Sequence, residues 1–236
     1  MQQNNSRLNK NGSAFDAQNR KAARMNGADS ITPSAYNLLI GGVLLYGFIT
    51  NALIVWLGGN SLVYFIANNY LIFLILYFVL CIAGVIISAR STSPLISFLG
   101  YNLVVVPIGA VVTVSVAGQY ISDILLAIVT TGAVTAVMMI LGATYPRFFA
   151  KLGRTLALSL FLGIIANFIA LLFGYSGTVF NWFFVIVFSL YIGYDWQRAQ
   201  MYPKTADNAV DCALDLYLDI INLFLRVLRI LSRNRD

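Results

Sequence analysis

The sequence predicts an all-α integral membrane protein, a bundle of seven transmembrane helices, and three observations carry that expectation. Of 236 residues, 59% are hydrophobic and only 10% are charged, where a soluble domain carries about 25% charged residues. Mean hydropathy is +0.80. Seven stretches approach or exceed the length of about 20 residues that a hydrocarbon core requires.

Composition also narrows the chemistry. All nine acidic residues are Asp, and there is no His. Cys81 and Cys212 are too few for a disulfide framework and read as packing residues. A zinc or haem site therefore has no ligand set to stand on. No Walker, Rossmann or G-x-S-x-G pattern occurs, so the reading is of a non-enzymatic protein without a tightly bound cofactor. The net charge of +6 comes from the tail and loops. It marks membrane orientation and the lipid surface rather than nucleic acid.

In chain order, residues 1–35 are polar, rich in Asn, Ala and Ser, and hold Arg7, Lys10, Arg20, Lys21 and Arg24. With no apolar core following in register, this is a disordered cytoplasmic tail and not a signal peptide. Residues 36–236 form the membrane domain. The first span is 36–57 and the second 70–88, separated by the polar "GGNS" and "NN". A third covers 95–117 and contains Pro107, which neighbouring helices can accommodate. The fourth covers 121–145 and ends before Pro146. Residues 155–194 carry no charge and divide at "GYSGT" into a fifth span, 155–173, and a sixth, 178–194. Trp182, Tyr191 and Tyr194 fit an aromatic belt. The seventh is 213–231, "ALDLYLDIINLFLRVLRIL".

Loop charges give the orientation. Arg90, the group Arg147, Lys151 and Arg154, and the pair Arg198 and Lys204 lie on the same side as the tail. The alternate loops, 58–69, 118–120 and 174–178, hold no Lys or Arg. The positive-inside rule then makes the tail cytoplasmic. Arg226, Arg229, Arg233 and Arg235 break the pattern: seven full spans put them near the outer face, whereas six spans plus a re-entrant or interfacial last segment keep them inside.

The last span is unlike the others. A carboxylate near mid-membrane costs at least about 2.5 kcal/mol on insertion scales, yet this span keeps Asp215 and Asp219. Asp211, Asp215, Asp219, Asn222, Arg226, Arg229 and Arg233 follow at steps of three or four and form one polar stripe. The stripe either wets an interfacial helix or faces other helices and a water-filled path. In the second case Asp219 needs a partner or a proton, and Asp195, in "SLYIGYDWQRAQ", is the nearest by topology across a connection of roughly 17 residues.

"GYDWQRAQ" followed by "DLYLDIINLFLRVLR", with "YPRFFAKLGRTL" at 145–156, resembles the transmembrane Bax inhibitor motif family over about 35–236. That resemblance implies a seven-helix fold whose last helix is enclosed by the other six, and a pH-sensitive calcium leak channel. It implies that Asp195 and Asp219 share a proton as a sensor dyad and meet the permeant Ca²⁺. It also implies that Arg90 pairs with the dyad in a closed state. From the residues alone, Arg90 reads equally as a snorkelling side chain at the cytoplasmic edge. The junction "RFFAKLG" lacks the acidic residue usual in the family. Two carboxylates within a few Å cannot both ionise cheaply and titrate as a unit, and their oxygens suit Ca²⁺.

Two rivals remain. An intramembrane aspartyl protease also places aspartates on adjacent helices, but a Gly-x-Gly-Asp is absent and the sequence reads "DLYLD". Some bacterial members of the family look like non-transporting modulators of a membrane protease, engaged through a polar tail such as this one. Loops and tail signals point to a bacterial cell membrane.

Overall fold

The computed structural model describes residues 30–174 and 178–233, which hold eight helices. These are α1 (Pro33–Asn68), α2 (Tyr70–Arg90), α3 (Pro94–Val116), α4 (Ile121–Thr144), the single turn α5 (Pro146–Phe149), α6 (Gly153–Leu172), α7 (Thr178–Met201) and α8 (Ala206–Arg233). Six of them, all but α5 and α8, are long and apolar enough to cross a membrane. The chain is thus a multi-pass membrane protein. Side chains such as Leu71, Ile75, Phe161 and Leu162 point outward from α2 and α6, as lipid-facing residues do. The tail lies outside the described residues up to position 29, and α1 begins at Pro33, with Thr32 Oγ1 accepting from the Ala35 amide as its cap.

Two connections differ from expectation. Residues 58–69 were expected as a loop, yet α1 continues to Asn68 with one break, Gly59 at φ 41° and ψ −140°. Only glycine enters that region without strain, so "GGNS" supplies a kink while "LVYFIAN" resumes the helix. Between α7 and α8 only residues 202–205 are non-helical, against the roughly 17 expected. The polar residues on either side remain helical beyond the apolar stretch, because backbone bonding does not require apolar side chains.

α8, of 28 residues, is the core of the bundle. Its main neighbours are α1, α3, α4 and α7, while α2 and α6 sit chiefly against α3 and α7. The closest packing on α8 is thus by four helices, while Ser88 of α2 still bonds Asp211 and Leu160 and Ile164 of α6 share a cavity with it. Tyr217 on α8 meets the Tyr101 ring of α3 edge-on at 5.5 Å and accepts from Asn51 Nδ2 of α1 at 2.7 Å. Tyr101 in turn donates to the Val43 carbonyl of α1 at 3.0 Å. α2 and α3 approach at glycine: a Cβ on Gly84 would stand 2.5 Å from the Gly100 carbonyl oxygen.

At one end of the bundle α1, α7 and α8 are tied together. Tyr36 Oη donates to the Ala199 carbonyl at 3.2 Å and lies 3.2 Å from Cys212 Sγ. Lys204 Nζ sits 4.5 Å from the centre of the Tyr36 ring and donates to the carbonyls of Ala199 and Gln200. Ser30 and Thr205 form an antiparallel bridge, with the Ile31 amide donating to the Lys204 carbonyl at 2.7 Å.

Candidate functional site

The polar stripe of α8 is not one face. Steps of four residues advance 400°, so each successive position drifts about 40° around the helix. Asp207 and Asp211 consequently turn toward α2 and α3. There Ser97 Oγ donates to Asp207 Oδ1 at 2.6 Å, and Ser88 Oγ donates to Asp211 Oδ1. Asp215, Asp219, Asn222 and Arg226 turn the other way and line a cavity of about 390 Å³ with α6 and α7. Its apolar wall includes Leu160 and Ile164 of α6 and Phe184 and Phe188 of α7. Asn222 closes its amide onto the Leu218 carbonyl of its own helix at 2.7 Å.

Asp195 and Asp219 meet at this cavity. They are 9% and 7% exposed, both line this cavity, and their carboxyl groups are close enough to interact. Asp195 Oδ1 and Asp219 Oδ2 are buried without a hydrogen-bond partner among the described residues. The short α7–α8 connection makes the encounter possible, since it brings α7 and α8 together as antiparallel neighbours.

The cation at the pair is Arg198. One turn after Asp195 on α7, its Nη1 stands 3.5 Å from Asp195 Oδ1, while Nη2 donates to Asp215 Oδ2 across the helix interface. The rings of Tyr194 and Tyr202 flank the guanidinium, at 5.5 and 5.8 Å from its carbon. Arg90, which the resemblance pairs with the dyad in a closed state and the residues alone read equally as an edge marker, lies elsewhere in this structure. It is exposed and lines a separate surface hollow with Ile86, Ser91 and Ile96, and it makes no ion pair among the described residues. The reason is helical: Ser88 faces α8, and two residues further on the side chain points about 200° away. Asp215, expected to stand outside the pair, is joined to it through Arg198. The signal for Arg198 was present in "DWQR", an acid and a base three apart on a helix, but a basic residue after a span reads first as an orientation mark.

No group of three or more Asp or Cys side chains is arranged to hold a metal among the described residues. Asp195 and Asp219 can offer oxygens to a hard cation in passage but lack the six to eight ligands of a resident Ca²⁺ site.

A family profile described as "Inhibitor of apoptosis-promoting Bax1" matches residues 29–236. The chain belongs to the Bax inhibitor family. Bax inhibitor 1 of Saccharomyces cerevisiae is 41% identical over 75 residues, covering 28% of this chain and 24% of that protein. A BI1-like protein of Arabidopsis thaliana is 38% identical over 88 residues, 36% of this chain and 34% of its own length. The chain therefore aligns with only about a quarter to a third of these two Bax inhibitor relatives. The uncharacterized protein YrjE of Lactococcus lactis is 27% identical over 244 residues, matching 97% of this chain and all of its own length.

Proposed function

We propose that this Bax inhibitor family protein is a pH-sensitive calcium leak channel of a cell membrane, gated by the carboxyl pair Asp195–Asp219. The chain would cross the membrane seven times with α8 central and its N-terminal tail cytoplasmic. The observation that supports the reading most directly is the approach of two buried carboxyls from adjacent helices at one end of a largely apolar cavity.

Three carboxylates, Asp195, Asp215 and Asp219, share that end with the guanidinium of Arg198. With one proton on the pair, the cluster carries a single net negative charge. Loss of the proton leaves two, which a divalent cation neutralises. Ca²⁺, the proton and Arg198 thus compete for the same oxygens, and occupancy by Ca²⁺ rises with pH. A guanidinium held against Asp195 fits gating better than proteolysis, in which both aspartates must face a water and a peptide bond.

Ca²⁺ flux into proteoliposomes of purified protein, measured as pH is varied, tests the reading. A flux that changes with pH supports it, and no flux above empty liposomes sinks it. The other reading, a modulator of a membrane protease engaged through the tail, separates on deletion of residues 1–29: a channel keeps its flux, and a modulator loses its effect on the protease.

A further inference from the structure

Arg226 lines the same cavity as Asp219, seven residues further along α8. Two helical turns place them about 10 Å apart along the axis, on one face. The cavity thus has carboxylates toward one end and a guanidinium toward the other.

Arg226 differs from Arg198 in its company. It is half-buried, its guanidinium carbon stands 4.5 Å from the centre of the Phe184 ring, and Nη1 donates to Asn181 Oδ1 at 3.2 Å. Both partners are neutral residues of α7. Among the described residues no carboxylate pairs with it. The ring face and the amide hold the guanidinium in place without cancelling its charge. In a partly dry cavity that charge is felt over the distance to Asp219 far more strongly than in water.

We infer that Arg226 is a specificity-determining residue: its uncancelled charge lowers divalent-cation occupancy at the Asp219 end of the cavity and limits cation passage along it. This rests on the channel reading for its passage part only. Repulsion scales with the charge of the ion, so a factor imposed on a monovalent cation becomes its square for a divalent one. Arg226 therefore discriminates against Ca²⁺ relative to K⁺ while the carboxyl end favours it, and the balance sets the leak.

The test uses the full chain with Arg226→Gln, which keeps a group able to bond Asn181, and Arg226→Lys, which keeps the charge. In proteoliposomes Arg226→Gln should raise K⁺ flux about threefold and Ca²⁺ flux about tenfold, with Arg226→Lys near wild type. In detergent, binding of Mn²⁺ alone, read by its paramagnetic resonance, should tighten about tenfold in Arg226→Gln, a gain abolished by adding Asp219→Asn. Equal changes in both fluxes, or an unchanged Mn²⁺ affinity, would overturn the inference and leave Arg226 a tie between α7 and α8. Tighter Mn²⁺ binding with no flux from the wild type would uphold the electrostatic role while removing the channel reading, so the two failures are distinct.

Discussion

Arg198 bridges α7 to Asp215 of α8 while standing 3.5 Å from Asp195, so a single guanidinium touches two carboxylates of the cavity. Removing it leaves those oxygens to the proton and to Ca²⁺. Arg198→Gln should raise Ca²⁺ leak near neutral pH several-fold, whereas Arg90→Ala should leave it at the wild-type level. Fluorescent Ca²⁺ indicators inside proteoliposomes check both. A larger effect from Arg90 than from Arg198 would return the cation that pairs with the carboxyls to α2.

On the proposed reading, Asp195→Asn and Asp219→Asn should each flatten the pH dependence of flux, because a single carboxyl no longer titrates as part of a pair. The double mutant should resemble the singles and not their sum, since both act on one unit. Wild-type pH profiles in both singles would end the dyad, as the chain has no His to take over the titration.

Topology is open to direct labelling. Cysteines replacing Ala150 and Met201 should react with an impermeant maleimide from one side of the membrane, and one replacing Gln119 from the other. The expectation follows from the placement of Lys and Arg on alternate connections. Reaction of positions 119 and 150 from the same side would contradict a span made by α4.

Gly84→Ala probes packing. Its new methyl would lie 2.5 Å from the Gly100 carbonyl oxygen, backbone that can move only by parting α2 from α3. A loss of about 1–3 kcal/mol follows from overpacking of this kind. A lowered thermal midpoint in detergent is the readout, with Gly132→Ala, where nothing stands within 4 Å, as the neutral control.

The helices were legible because most spans announce themselves as long apolar runs, and every expected span coincides with a helix, though the last, with its two Asp and two Arg, is not apolar enough to count as a span by composition. What composition misread was polarity as loop. "GGNS" is a one-residue kink, and the polar residues around 195–212 are mostly helix. The meeting of Asp195 and Asp219 at one cavity was legible from the adjacency of the last two helices and from the family motif together, since spacing along the chain alone does not say which residues of two helices meet. The stripe on α8 was visible, but its division was not: a 40° drift per four residues is small at one step and decisive over three. Arg90 misled for the same reason, because its two-residue offset from the inward Ser88 sends it outward.

A load applied to the chain ahead of Ser30 reaches Lys204 in one step, through the Ile31 amide and the Ser30–Thr205 bridge. Lys204 grips the carbonyls that end α7, and Tyr36 grips Ala199 beside Arg198. The N-terminal attachment is thus a handle with a short lever arm: tension on it is delivered to the last turn of α7, where the guanidinium that spans Asp195 and Asp215 is mounted.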